Sequence, residues 1–163
     1  MELKRKLSPK TVFVGLYFLF FAVYLIIGLR PAEAVQYEIS SKLTIPSIGL
    51  VSDVTTLELR DGKLDTPDTI VGSFSNAENK TFLIGHSTTV FKELHKVKLN
   101  EMLKYDDKSY RVTSIDMLEK AKISMSEILS STEKDTIIIM TCAGELLDGG
   151  DATHRLLIKA VSE

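Results

Sequence analysis

Three side chains with complementary chemistry stand beside apolar runs of the sequence. Cys142, the only cysteine, ends the run 136–142, in which three consecutive isoleucines are typical of a strand covered on both faces. His86 and Arg155 stand at the ends of two further apolar runs, the first upstream of Cys142 and the second downstream. A thiol at a strand end, beside a glycine-bearing loop, is accessible to a ligand. A thiol, an imidazole and a guanidinium in such positions form a candidate nucleophilic site.

Two of these side chains also have an ordinary structural explanation. A lone cysteine is more often a small buried hydrophobe than a nucleophile, and the position of Cys142 before Ala143-Gly144 is what favours a reactive thiol. Arg155 is either a surface counter-charge in a salt bridge or a cation aimed at the site. The guanidinium is permanently charged and carries several N–H donors in one plane, which suits it to stabilise a developing oxyanion. If Arg155 faces a cleft at a strand end, its side chain is expected to bury little area.

His86 competes with two other histidines for the role of the imidazole. His95 lies in a polar stretch and is predicted to be solvated. His154 precedes Arg155, and neighbours on a strand point to opposite faces, so the two are not expected to share a site. Gly85 lacks a side chain and is expected to leave room for a substrate backbone beside His86. These considerations favour His86.

Charge divides the chain into a basic beginning and an acidic remainder. Residues 1–30 contain five basic side chains and one glutamate, a net +4, so the −2 of the whole chain leaves −6 on the remainder. An acidic body is unsuited to binding the phosphate backbone, which argues against nucleic acid as a partner. One cysteine permits no internal disulfide and too few thiolates for a zinc-finger-type site.

An uncharged apolar segment, 11–29, follows a basic N-terminus, 1–10. As a helix, its 19 residues span about 28 Å, close to the hydrocarbon thickness of a bilayer. The positive-inside rule predicts a single-pass anchor with 1–10 in the cytoplasm, a stalk over 30–41 and the body, 42–163, outside the cell membrane. The alternative is a cleaved signal peptide, since small residues flank Glu33. The segment is longer than the apolar part of such a peptide, which favours the anchor.

The body alternates short apolar runs with turn residues. About seven strands are predicted, at 42–45, 51–59, 81–86, 102–105, 110–116, 136–142 and 156–161. Residues 73–80 are predicted to form a polar loop and 91–98 a helical turn. A short helix is predicted over 124–129, with Ser124 as its cap. Many short strands with little helix predict a closed or nearly closed β-barrel.

Six stretches of the body, taken together, resemble the sortase family of bacterial cysteine transpeptidases. In chain order they are Leu43-Thr44-Ile45-Pro46-Ser47-Ile48-Gly49, 59–67 with Val71-Gly72, Phe82-Leu83-Ile84-Gly85-His86-Ser87, Tyr110-Arg111-Val112, Ile138-Ile139-Met140-Thr141-Cys142, and 155–161. Each stretch is weak by itself. Their order and spacing, with Thr-Cys and then Arg after a loop, are specific, and they cover the chain from about residue 42 onward. Two departures, Asn100-Glu101 in place of a Gly-Asp pair and isoleucine in place of leucine before Thr-Cys, bear on subclass and substrate preference.

The resemblance implies a mostly β fold, a closed eight-stranded β-barrel with short helices, preceded here by one N-terminal transmembrane helix. It implies that Cys142 is the nucleophile, His86 the catalytic histidine and Arg155 the third catalytic residue. Thr141 and Gly85 are assigned supporting positions beside the substrate.

The resemblance also implies a reaction and its partners. The substrates would be surface proteins that carry a C-terminal sorting signal of the Leu-Pro-x-Thr-Gly type. The enzyme would cut after Thr and pass the acyl group to an amine, on a cell-wall precursor or on a pilin lysine. This chemistry requires no cofactor. The acidic side chains Glu145, Asp148 and Asp151 raise calcium as an activator, although acidic loops of secreted domains are more often simply solvated.

Two other functional classes remain open from the sequence. A membrane-anchored cysteine peptidase or an enzyme like the L,D-transpeptidases shares the thiol and the histidine, but is expected to carry no arginine at this distance from the cysteine. A non-catalytic extracytoplasmic binding domain would hold Cys142 buried and inert.

Overall fold

The structure, a computed structural model, describes residues 37–147 and 151–163. They belong to a compact unit over Tyr37–Glu163. The predicted N-terminal segment 1–10, the anchor 11–29 and most of the stalk lie outside the described residues. Within the described part of the chain, no helix is long and apolar enough to cross a membrane.

Ten strands are formed by the described residues. They are β1 (Ile39–Ile45), β2 (Leu50–Thr56), β3 (Leu59–Arg60), β4 (Lys63–Leu64), β5 (Val71–Ala77), β6 (Lys80–Ile84), β7 (Met102–Tyr105), β8 (Lys108–Glu119), β9 (Thr136–Leu146) and β10 (Ala152–Ser162). Eight of them close into a barrel in the order β1-β2-β5-β6-β9-β10-β8-β7, while β3 and β4 form a separate two-stranded sheet. The closed eight-stranded barrel confirms the predicted architecture.

The barrel closes between β1 and β7 through a short antiparallel pairing. Leu43 pairs with Tyr105 and Thr44 with Lys104. One side-chain bond extends this pairing, because the Asp106 carboxylate accepts the Lys42 backbone N–H at 2.8 Å. By contrast, β10 pairs with β8 and with β9 along nearly its whole length.

Short helical elements lie in the connections. In the described part of the chain, three 3₁₀ turns cover Pro46–Ile48, Leu94–Lys96 and Lys120–Lys122, and one α-helix, α1, covers Met125–Ile128. The predicted cap is confirmed, since the Ser124 hydroxyl accepts the backbone N–H of Glu127 at 3.4 Å. Leu94–Lys96 lies inside the predicted helical turn.

The consecutive isoleucines of β9 are explained by two separate apolar environments. Ile137 and Ile139 lie in the main core inside the barrel. Ile138 and Met140 lie in a second apolar cluster outside the barrel wall, together with Ile128 of α1. Because successive side chains of a strand point to opposite faces, a strand covered on both sides needs an unbroken apolar run.

The predicted polar loop at 73–80 is wrong, because most of it forms β5. This strand lies between β2, which is parallel to it, and β6, which is antiparallel. The buried Ser73 fits the wall because its hydroxyl donates to the Thr55 backbone oxygen at 3.3 Å. β5 is therefore stabilised by backbone pairing and side-chain hydrogen bonds, and no alternation of apolar residues in its sequence predicts it.

Several strand bounds also differ from the sequence prediction. β1 begins at Ile39, inside the predicted stalk, because β2 supplies a backbone partner at Thr55. β9 continues past Cys142 to Leu146, and β10 begins at Ala152, because the two strands pair far beyond their apolar parts. Cys142 therefore lies within a strand and not at its end.

Candidate active site

Cys142 and Arg155 are cross-strand neighbours. Cys142 on β9 pairs directly with Arg155 on β10 in the antiparallel register. Residues that oppose each other in this way have side chains on the same face, with Cβ atoms about 5 Å apart. The β9–β10 pairing therefore brings together two residues that are thirteen positions apart in sequence.

His86 follows β6, the strand that pairs with β9 on the side away from β10. The last pair of the parallel β6–β9 ladder is Ile84 with Met140, so His86 lies two residues beyond that pair on its segment, as Cys142 does on β9. The backbone oxygen of His86 accepts the N–H of Phe91 at 3.0 Å, which holds the turn after β6. The order β6-β9-β10 therefore places His86 after the strand on one side of Cys142, and Arg155 on the strand at its other side. Among the described residues, no hydrogen bond joins two of these three side chains.

Thr141 ties the histidine turn to the cysteine strand. Its side chain is 3% exposed, and its hydroxyl donates to the backbone oxygen of Gly85 at 2.8 Å. This bond extends the contact between β6 and β9 beyond their last backbone pair. Thr141 therefore links the residue before Cys142 to the residue before His86.

Removing this bond is expected to weaken both the fold and the site. Thr141→Val keeps the shape of the side chain but leaves the Gly85 oxygen without its partner, at a cost of about 1–3 kcal/mol. Thr141→Ser keeps the hydroxyl and serves as the matched control. Melting curves and the rate of alkylation of Cys142 should change in the valine variant far more than in the serine variant. Equal behaviour of the two variants would show that the hydroxyl positions nothing.

The space left by Gly85 is already filled. A Cβ atom built on Gly85 would lie 2.6 Å from Val90 Cγ1 and 2.8 Å from Phe91 Cδ2. The expectation that this glycine leaves room for a substrate backbone is therefore corrected. Gly85 permits the segment after β6 to fold back over the strand end, and so acts on the site through packing.

A bulge in β9 follows Cys142. The register between β9 and β10 shifts between Ala152 and His154, where Gly144 adopts a left-handed conformation with φ of 79°. A Cβ atom on Gly144 would lie 2.5 Å from the Thr153 hydroxyl, which also accepts the N–H of Glu145 at 3.0 Å. Glycine is needed here both for its backbone angle and for this close approach.

Cys142 is half-buried and borders a small cleft. The cleft has a volume of about 260 Å³ and is lined by Ser87, Phe91, Lys92, His95, Met117, Thr141, Cys142, Ala143, Gly144 and Leu156. The thiol is thus reachable, as the sequence predicted, although neither His86 nor Arg155 belongs to the lining. His154 borders a different cavity, of about 650 Å³.

His95 is the lining residue that the sequence interpretation assigned to solvent alone. It is exposed, and its Nδ1 atom lies 3.1 Å from the backbone oxygen of Lys92. Its position four residues after the buried Phe91, in a predicted helical turn, was the available signal, because such a spacing places two side chains on one face.

Arg155 is more enclosed than the sequence predicted, since its side chain is only 13% exposed. Nη2 donates to the Asp151 carboxylate at 2.6 Å, and Nη1 donates to the backbone oxygens of Ala152 at 3.0 Å and His154 at 2.9 Å. A guanidinium has five N–H donors. Nε–H and one N–H of Nη2 therefore have no partner among the described residues. The three bonds tie the guanidinium to the start of β10.

The Asp151 carboxylate forms ion pairs with two cationic side chains. Its carboxylate bonds Lys120 as well as Arg155, and these two partners hold the pKa of Asp151 far below its usual range. Asp148, one of the acidic residues considered for calcium, lies outside the described residues. Within 37–147 and 151–163, no three side chains of His, Cys, Asp or Glu are grouped as a metal site.

Comparison with known proteins decides the family. The sequence model of the Sortase domain matches residues 43–163, which is most of the chain. The chain belongs to the sortase family. A sortase-type cysteine transpeptidase is therefore its general function, as the resemblance implied.

Solved sortase structures have the same fold. Sortase C2 of Group B Streptococcus Pilus Island 1 is 21% identical, with a TM-score of 0.60 over 78% of this chain and 76% of that one. Sortase A from Corynebacterium diphtheriae is 17% identical, with a TM-score of 0.60 over 96% and 86%. A Clostridium perfringens Sortase D5 transpeptidase is 19% identical, with a TM-score of 0.60 over 80% and 83%. No curated protein sequence matches.

Proposed function

We propose that this sortase cleaves a C-terminal sorting signal of the Leu-Pro-x-Thr-Gly type between Thr and Gly. It then transfers the acyl group to an amine, either of a cell-wall precursor or of a pilin lysine. The observation that carries the proposal is the register pairing of Cys142 with Arg155, with His86 two residues beyond the end of the neighbouring strand β6. A nucleophile, a proton carrier and a fixed cation meet the needs of acyl transfer.

In the proposed first step, the Cys142 thiolate attacks the carbonyl carbon of the threonine. The tetrahedral oxyanion accepts hydrogen bonds from Arg155 and from a backbone amide. As the C–N bond breaks, the His86 imidazolium gives its proton to the departing glycine amine. The products are a thioacyl enzyme and a released C-terminal fragment.

The second step reverses these roles. An incoming amine attacks the thioacyl carbonyl, and neutral His86 takes the proton that the amine loses. The oxyanion is again held by Arg155, and its collapse forms the new amide and releases the Cys142 thiolate. The chemistry requires no redox cofactor and no metal ion.

Ionisation of Cys142 requires positive charge nearby, which His86 and Arg155 supply.

The proposed location is the outer face of a bacterial cell membrane. Residues 11–29 would form an uncleaved single-pass anchor with the basic N-terminus in the cytoplasm, as their length and the preceding charges indicate. Protease added to protoplasts should digest the unit over Tyr37–Glu163. Full protection of this unit, or a mature chain that begins near Val35, would contradict the anchored form.

A peptide library tests the substrate proposal. The unit over Tyr37–Glu163 is incubated with peptides that vary around Leu-Pro-x-Thr-Gly and with an amine acceptor, and products are identified by mass spectrometry. We expect ligation of the amine to the threonine carbonyl. Cleavage without transfer would favour a cysteine peptidase. No product, together with slow reaction of Cys142 with a methanethiosulfonate reagent, would favour a non-catalytic binding domain.

A further inference from the structure

An ion pair joins Asp151 and Arg155. The two residues are four apart, at the point where the chain enters β10, and their charged groups are 2.6 Å apart. Arg155 is 13% exposed and Asp151 is 36% exposed. An arginine this enclosed needs a compensating anion, and Asp151 is the carboxylate that bonds it among the described residues.

The hydrogen bonds around Arg155 leave the guanidinium little freedom. The Asp151 carboxylate holds Nη2, and two backbone oxygens hold both N–H groups of Nη1. A free arginine side chain has several rotatable bonds, and the entropy lost in ordering it must be met by such contacts. With these three bonds made, the plane of the guanidinium is fixed and so are its two remaining donors.

We propose that Asp151 is a positioning residue that holds Arg155 in the orientation needed for the oxyanion. This inference rests on the proposed function, because it presumes that Arg155 acts at the carbonyl attacked by Cys142. Asp151 itself touches no reacting atom. Its carboxylate fixes one end of the guanidinium, and the backbone oxygens of Ala152 and His154 fix the plane. Misplacement of a catalytic group by about 1 Å can cost on the order of a hundredfold in rate.

Asp151 also bonds Lys120, and this second partner supplies a matched control. Lys120 lies in the 3₁₀ turn after β8, and its side chain is 54% exposed. Lys120→Met removes an ion pair from the same carboxylate without removing any bond of Arg155. A general loss of ionic contacts at Asp151 is thereby separated from loss of the contact with Arg155.

The test uses the full chain with Asp151→Asn, Asp151→Ala, Asp151→Glu, Lys120→Met, Arg155→Ala and the double variant Asp151→Ala with Arg155→Ala. Turnover and KM for the sorting-signal peptide are measured separately, and a melting curve is recorded for each variant. We expect Asp151→Asn and Asp151→Ala to lose about ten- to a hundredfold in kcat with little change in KM. Asp151→Glu should recover part of this loss because it keeps the charge. Lys120→Met should stay within about threefold of wild type.

The double variant distinguishes positioning from an independent role. If Asp151 acts through Arg155, the double variant should be no slower than Arg155→Ala alone, since coupled residues are not additive. Multiplied losses would overturn the inference, as would a kcat that is unchanged or raised in Asp151→Asn. A rise would mean that Asp151 withholds the guanidinium from the site. If Asp151→Ala does not fold, Asp151→Asn, which keeps the shape, decides the matter.

The experiment gives different results if this inference fails and if the proposed function fails. An active wild type with unaffected Asp151 variants overturns only the positioning role. A wild type that transfers no peptide overturns the proposed function and this role with it. In that case, non-additive melting temperatures of the Asp151 and Arg155 variants would still report their contact as a structural one.

Discussion

Cys142→Ala is expected to abolish cleavage and transfer of sorting-signal peptides while the barrel stays folded. No other side chain of the chain can form the thioacyl intermediate, because Cys142 is the only cysteine. Loss of a nucleophile removes about six orders of magnitude in comparable enzymes. The fold should survive because Cys142 is half-buried and lies outside the two apolar clusters.

The measurement is single-turnover cleavage followed by mass spectrometry, which also detects the thioacyl adduct in wild type. Cys142→Ser is a useful second variant, since a hydroxyl is a far weaker nucleophile at the same position. A melting curve shows that each variant is folded. Cleavage by the alanine variant within tenfold of wild type would mean that the proposed chemistry is wrong.

Arg155→Lys and Arg155→Ala are both expected to lose at least about a hundredfold in turnover. Loss of one well-placed oxyanion donor typically costs about a hundred- to a thousandfold. Lysine keeps the charge but cannot reproduce the planar fork that reaches Asp151 and two backbone oxygens at once.

The stability of the two variants should separate charge from geometry. The sequence predicted that the Arg155 side chain buries little area, but it is only 13% exposed, so its replacement is expected to lower stability. Arg155→Ala leaves Asp151 without its enclosed partner, and a hydrogen bond to a charged group contributes about 1.5–3 kcal/mol. We expect a lowered melting temperature for Arg155→Ala and a smaller loss for Arg155→Lys.

Rate constants and melting curves of both variants decide between the two roles. Near-normal turnover of Arg155→Lys would reduce Arg155 to a counter-charge of Asp151. A large loss of stability with unchanged turnover would make Arg155 a structural residue. Either result would leave Cys142 and His86 as the remaining candidates for catalysis.

The barrel was predictable where side-chain periodicity carries the information. β7 was predicted at its observed bounds, and the isoleucines of β9 marked a strand buried on both faces. β5 was missed because its polar residues are held by the neighbouring strands β2 and β6. A strand whose stability depends on partners distant in sequence has no local pattern to reveal it.

The same division holds for the candidate site. The sequence was enough to identify His86, Cys142 and Arg155 as candidates from their types and order, and the resemblance to sortases implied their roles. The bond from Arg155 to Asp151 was not readable, because it depends on how the chain turns into β10. The filled space at Gly85 depends on Val90 and Phe91, which fold back after the strand, and sequence spacing does not specify such packing.

The short β1–β7 pairing gives the barrel a preferred place to come apart. Local opening in a native protein begins where the fewest interactions must be broken. Amide hydrogens of β7 should therefore exchange with solvent before those of the long β9–β10 hairpin. Cys142 and Arg155 lie in that hairpin, which does not include the β1–β7 closure, so the pairing between them should persist when the barrel opens there.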